Sequence, residues 1–372
     1  MSFSTPKEPT MTELLKASHQ WATRPADERF TSLTELAKFK HEVRDRSRAR
    51  VVSSRRIEAV PVQGDQRALA VVTEDGPVVP TNWSFNQLAQ RAEAPASYLR
   101  KLRPDLAADC VNYGLQRRSV EDVGLLVTAN ENLPATLAAA TGPNYGRIWD
   151  CDLVDNLIDR FGDGVNGDFK VPGEFGKHVP ITKANSTLYA SDRDIFVFLA
   201  DEQHRIEVPN RRNGEPGLLA RGFFLSNSEV GAGTLEISTF LFDYVCCNRI
   251  VWGAEGVKTF SIRHTSGAPD RFVEEVAPAL IAYSAGSERS VVEAVEAAKA
   301  KRIEEVDDFL NARFTRSQAK AIVLAHEADE GRPIETVWDA VTGITAYARG
   351  IEHQDARVDL ERAAGKVLKL AA

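Results

Sequence analysis

The sequence predicts a mixed α+β fold: a largely antiparallel mixed sheet with flanking helices and a helical C-terminal layer. Three observations carry this. Arg221–Leu225 and Leu235–Phe242 read as strands joined by Ser226–Gly233, whose Ser, Asn and two glycines suit a tight connection. That link is too short for a helical crossover, so the pair is expected to be antiparallel. Val123–Thr128 and Ile195–Leu199 are continuous apolar runs of strand length, as buried strands require. From Pro269 onward the period changes to helical, through residues 288–314, 317–330, 335–349 and 355–370.

Taken in order, residues 1–60 read as an N-terminal basic helical arm, with helices around Met11–Trp21 and Leu33–Arg50. Val51–Thr73 reads as strands, including Ala68–Thr73, broken by a turn at Gln63-Gly64-Asp65. Ser84 is the expected cap of a helix in which Phe85, Leu88, Ala89 and Ala92 share a face. Glu93–Pro95 breaks it, and Tyr98, Leu99 and Leu102 mark a second helix. An apolar helix, a break and a second helix is also the layout of a helix-turn-helix DNA reader, with Arg100, Lys101 and Arg103 available for backbone contacts. The turn lacks the usual glycine, and two-helix packing units are common in mixed domains. Gly162–Lys183, rich in Gly, Asp, Lys and Pro, is expected to run over the surface. Ser191-Asp192-Arg193-Asp194 is a turn feeding the Ile195 strand, because Ser and Asp bond their own backbone there. Strands are expected at Leu218–Leu225 and Leu235–Phe242. The chain thus divides into the arm (1–60), an α+β core (61–268) and a helical subdomain (269–372).

A chain of 372 residues, 43% hydrophobic and 27% charged, buries a sizeable core. Its four cysteines (Cys110, Cys151, Cys246, Cys247) form no C-x-x-C pair, which suits reduced thiols in the cytoplasm. The opening MSFSTPKEPT lacks the charged-then-apolar run of a signal peptide. The most apolar window, around Phe240, is interrupted by Glu236, Asp243 and Arg249, so no membrane span is expected.

Charge is uneven. Lys38, Lys40, Arg44, Arg46, Arg48, Arg50, Arg55 and Arg56 oppose only Glu42 and Asp45, a local +6 that leaves −13 to the rest of a chain with net charge −7. An acidic body with one basic segment implies a local anionic partner. Arg44, Arg46, Arg48 and Arg50 recur every second residue. In a strand they would share a face; in a helix they would make two i,i+4 ridges. Either arrangement presents guanidinium forks suited to phosphate oxygens. A solvated face paired with acidic neighbours or with another subunit is the structural alternative.

Asn227-Ser228-Glu229 with Gly231, followed by Cys247-Asn248, resembles the central signature of the phage/plasmid-like proteins grouped as domain of unknown function 932. The Phe85–Leu102 segment, Ser191–Asp194 leading into its strand, and the Trp338–Tyr347 helix with Gly343-Ile344-Thr345 fit the same family in order. Cys246 beside Cys247, and Arg249 where glycine is more usual, depart from the pattern. The resemblance implies carriage on mobile elements and a cytoplasmic setting, and no established reaction.

Catalytic motifs are absent: no G-x-x-x-x-G-K-[ST] loop, no G-x-S-x-G elbow and no H-E-x-x-H zinc site. His326-Glu327 comes closest to the last, but Glu330 stands four residues after His326, so a solvent-facing helix is expected. Asp150, Asp152, Asp155 and Asp159 gather at one helix start, either holding a hard cation or answering the helix dipole; the dipole is favoured. Asn227, Ser228 and Glu229 read as a polar turn satisfying its own amides, with Glu229→Gln nearly silent for folding. Cys246 and Cys247 follow an apolar run as small hydrophobes. No cofactor or metal is expected. The leading expectation is a non-catalytic, self-assembling nucleic-acid-binding protein, with Lys38, Lys40, Arg44, Arg46, Arg48, Arg50, Arg55 and Arg56 as its contact surface, single-stranded DNA as partner and a homo-oligomer as its form. Trp83, Phe85 and Tyr98 are candidate stacking faces. A metal-dependent phosphodiester enzyme and a structural or host-interaction protein are the alternatives.

Overall fold

The computed structural model describes residues 28–62, 69–74, 76–131, 133–171, 180–184, 186–201, 203–208, 217–243, 248–250, 260–285, 289–351 and 354–371. The fold is α+β, built on two sheets. The predicted helix at Met11–Trp21 lies outside the described residues.

Residues 29–61 do not stand apart as an arm but feed both sheets. β1 (Arg29–Phe30) pairs with β9 (Leu188–Ala190). Helix α1 (Leu33–Asp45) follows, capped by Ser32, whose hydroxyl accepts from the Glu35 amide. The helix expected to reach Arg50 stops at Asp45, and β2 (Ser47–Ser53) takes over. Tertiary pairing decides this, because all seven residues of β2 align with β6 (Asp122–Thr128). Val51 and Val52 favour that outcome locally.

The smaller sheet runs β2-β6-β7-β5-β4-β3, with β3 Glu58–Pro61, β4 Leu69–Thr73, β5 Gly76–Pro80 and β7 Thr136–Thr141. Its pairs are antiparallel except β5–β7. β3 and β4 are antiparallel neighbours, and the turn expected at Gln63-Gly64-Asp65 lies outside the described residues. One face packs against α2 (Asn82–Arg91), α3 (Ala96–Leu99) and α4 (Pro104–Arg117), burying Leu88, Leu99, Val111 and Leu115 on Val71, Val123, Leu125 and Leu137. Thr81, not Ser84, caps α2: the Thr81 hydroxyl accepts from the Ser84 amide, while the Ser84 hydroxyl donates to Leu137 O at 2.6 Å. The helix expected after Pro95 is the single turn α3, too short for a recognition helix, and its neighbour Arg100 lies over Phe85.

The larger sheet runs β1-β9-β10-β12-β13-β14, with β10 Ile195–Asp201, β12 Gly217–Asn227, β13 Leu235–Asp243 and β14 Asn248–Ile250. Short strands β8 (Phe169–Lys170), β11 (Ile206–Val208) and β15 (Phe260–Ile262) pair with β10, β12 and β13. The predicted β12–β13 hairpin is antiparallel in register Leu225↔Ile237. Every residue of β10 is buried, the apolar run Ile195–Ala200 and the closing Asp201 alike. Ile195, Val197, Leu199, Phe223 and Leu225 face a core formed with α1, α5 (Asp150–Phe161), α6 (Ala268–Arg271), a π-helical turn (Phe272–Val276) and α7 (Ala277–Ala285). Helices after Pro269 therefore belong at first to the sheet.

Another core begins at α8 (Arg289–Ala300) and includes α9 (Val306–Asn311), α10 (Arg316–Glu330), α11 (Val337–Arg349) and α12 (Gln354–Leu368), packed on Ile206, Leu219 and Leu241 of the larger sheet. The helix expected over 288–314 is interrupted at 301–305, where Arg302 bridges to Thr336. Gly343 has a packing role: a Cβ there would stand 3.1 Å from Ile322 O and 3.0 Å from His326 Cβ, so its absence lets α10 and α11 approach. His326 is not solvent-facing; it is fully buried between these helices, with Nδ1 3.1 Å from Thr342 Oγ1. Among the described residues no helix is long and apolar enough to cross a membrane.

Candidate functional site: a buried charged centre and an arginine groove

Leu33, Leu36, Ala37 and Lys40 are the buried positions of α1, so its inward stripe ends in a lysine. Lys40 is 4% exposed. Its ammonium lies 2.7 Å from Asp150 Oδ2 and 3.0 Å from Glu229 Oε2. Asp150 opens α5, which has no side-chain cap from its own neighbour Trp149. Glu229, on the β12–β13 turn, supplies one from a distance by accepting the Asp150 amide at 2.8 Å. Asn227 Nδ2 donates to Asp150 Oδ1 (2.7 Å) and to Ile148 O (3.0 Å). Arg147 Nε donates to Glu229 O and the Tyr145 hydroxyl to Ser228 O. Ser228 Oγ donates to Arg193 O at 2.6 Å and accepts from the Ala232 amide at 2.9 Å.

The signature turn is thus only partly self-satisfied. Ser228 bonds the amides of its own turn, but the Glu229 carboxylate reaches Lys40 of α1 and the Asp150 amide of α5, contacts outside the turn that the reading of a self-satisfied turn did not include. Gly231 adopts φ +84°, the left-handed region glycine favours.

One ammonium faces two carboxylates in a dry interior. Burial and then the Glu229 charge push the Asp150 carboxyl up to about 7, against the opposing pull of Lys40. Burial alone would lower Lys40, but Asp150 and Glu229 outweigh it and hold the ammonium above its usual range. Through its two carboxylate contacts Lys40 links α1 to α5 and the hairpin.

The four aspartates of α5 do not converge, and Asp159 is exposed in its last turn, not at the helix start as expected. Asp150 turns inward to Lys40, Asp152 pairs with Arg44, and Asp155 lies 2.7 Å from His41 Nε2. Among the described residues no group of three His, Cys, Asp or Glu side chains is placed to hold a metal.

The basic segment separates into parts with different work. Lys40 is a correction to the expected nucleic-acid surface, because it is enclosed and paired where no phosphate reaches it. Arg44 pairs with Asp152 and lies over the Trp149 ring at 5.3 Å. Arg55 donates to Leu115 O at 3.3 Å and Arg118 O at 2.8 Å, stapling the end of α4. Lys38 is exposed on α1. Arg46, Arg48, Arg50 and Arg56 come together around a groove of about 610 Å³, floored by Val52, Val72, Leu125, Val127, Ala129 and Ala135. Pairing of Arg48 with Val127 and Arg50 with Leu125 sets two arginines beside apolar neighbours on one face. Glu74, itself 69% exposed, lies 3.5 Å from both Arg50 and Arg56 and is the one acidic lining residue. A second, more polar cleft of about 380 Å³ lies beside Gly231 and Tyr145.

Trp83, Phe85 and Tyr98 do not line the groove: Trp83 donates to Val230 O and Phe85 lies under Arg100. Cys246 and Cys247 lie outside the described residues, and Asn248 begins β14 opposite Asp243. Tyr145 and Arg147 were not anticipated from the sequence. The one available signal for the centre was a lysine falling on the apolar stripe of α1.

An α+β protein whose central hairpin meets two helices at a buried Lys–Asp–Glu centre is the class these observations define. The family model for the domain of unknown function 932 matches residues 180–365, half of the chain, and the chain belongs to that family. No curated protein and no solved structure matches it.

Proposed function

We propose that this is a non-catalytic nucleic-acid-binding protein whose arginine groove holds the backbone of single-stranded DNA. It would act in the cytoplasm as a homo-oligomer, in the strand binding or annealing that a phage or plasmid requires. The observation that supports this reading is the gathering of Arg46, Arg48, Arg50 and Arg56 around one groove, in a chain whose remainder outside 38–56 carries −13. Clustered guanidiniums on an acidic body favour a polyanion at that place and disfavour it elsewhere.

The test is the quadruple Arg→Ala variant at these four positions, with Lys40, Arg44 and Arg55 left intact because they hold the fold. Four lost phosphate contacts should reduce the salt slope of single-strand binding by roughly 3. Fluorescence anisotropy reads the binding, and light scattering reads the mass. Unchanged oligonucleotide affinity with an altered mass would defeat this proposal and make the groove a subunit contact.

A further inference from the structure

The arginine rim alone would serve any polyanion, but the groove has a second character. Val72 is 37% exposed and Ala129 is exposed, so apolar surface faces solvent among four guanidiniums. A track for phosphates alone gains nothing from an aliphatic floor, since leaving such surface wet forgoes its burial. The occupant that satisfies both parts carries anionic charge beside a flat apolar face. A nucleotide with an unpaired base has that chemistry, whereas in a duplex the base faces are stacked and enclosed. The volume, about 610 Å³, is that of small-molecule pockets, which span roughly 300–1,000 Å³. Guanidiniums stack on planar rings as well as bonding phosphates.

We propose that the floor formed by Val72, Leu125, Val127, Ala129 and Ala135 receives an unpaired base of the bound strand, while the rim holds its phosphates. This rests on the strand-binding reading above. The experiment compares four probes on the full chain: an oligothymidylate, an abasic strand of equal length, a duplex, and thymidine monophosphate. The base-bearing strand should bind about tenfold tighter than the abasic one, the fold-change expected where on the order of 60 Å² of apolar surface leaves water. It should also bind tighter than the duplex. Ala129→Leu, which fills the floor from an exposed position without adding a ring on which a base could stack, should bring the oligothymidylate down to the abasic level and leave abasic binding unchanged. If that variant melts early, Val72→Gln replaces it. Equal affinity for base-bearing and abasic strands would overturn the base site while leaving strand binding in place. Tighter binding of the duplex would also overturn it. Saturable monophosphate binding with no gain from strand length would reassign the groove to a free nucleotide. Failure of every strand to bind would sink both readings.

Discussion

Lys40 stands where an apolar side chain would complete the inward stripe of α1, and its charge is tolerated only because Asp150 and Glu229 arrive from other elements. Removing one partner from such a buried cluster leaves uncompensated charge. Lys40→Met should destabilise the fold by about 3–5 kcal/mol, read by urea unfolding. A loss below ~1 kcal/mol would mean that the two carboxylates are readily neutralised. The raised Asp150 carboxyl gives a second expectation. Its unfolded value is ~3.9, and its folded value is about 7. The folded chain therefore holds more protons between these values, so Asp150 makes stability fall as pH rises through that window and level off above about 7. Lys40, held above its usual range, contributes stability throughout it and loses that only at alkaline pH. Asp150→Asn should flatten the slope between pH 4 and 7. Parallel profiles for the variant and the parent protein would show that another group carries the dependence.

At the scale of elements, the β12–β13 turn is both a reversal and a plug. Trp83 and Gln87 of α2 donate to Val230 O, and Tyr145 and Arg147 hold the carbonyls of Ser228 and Glu229. Gly231→Val combines a positive φ with a Cβ 3.3 Å from both Gln87 Nε2 and Thr141 Cγ2. It should cost about 2 kcal/mol or more in stability, while Gly233→Ala, with open space at its Cβ, should cost far less. Equal melting of the two variants would remove the special role given to Gly231. Strand β2 shows where sequence reading reaches its limit. Arginines at every second position suit a strand face and a helix ridge alike, and only pairing with β6 chose the strand. On the rim of the groove, Glu74 competes for Arg50 and Arg56 as a phosphate would. Glu74→Gln should therefore tighten oligonucleotide binding several-fold, and weaker binding would show that Glu74 positions the arginines instead.

Across the whole molecule, two sheets and a helical layer meet around one hairpin. The antiparallel hairpin, the buried β10 and the C-terminal helices were legible because each follows from the period of polar and apolar residues within one segment. Family membership was legible in the same way, from short motifs in order, and the model match over residues 180–365 agrees with it. The concentration of positive charge in residues 38–56 was also set by the sequence alone. Its division into a buried lock, two structural arginines and a groove was not. Lys40 and Glu229 are 189 residues apart, and no local pattern states that a lysine, an aspartate at a helix start and a glutamate in a turn share one dry interior. Electrostatic energy depends on distance and on exclusion of water, and both exist only once the chain has closed. The sequence by itself determined the elements whose polar–apolar period is unambiguous and where charge would collect. Tertiary structure alone decided which of those charges face solvent and which hold the fold together.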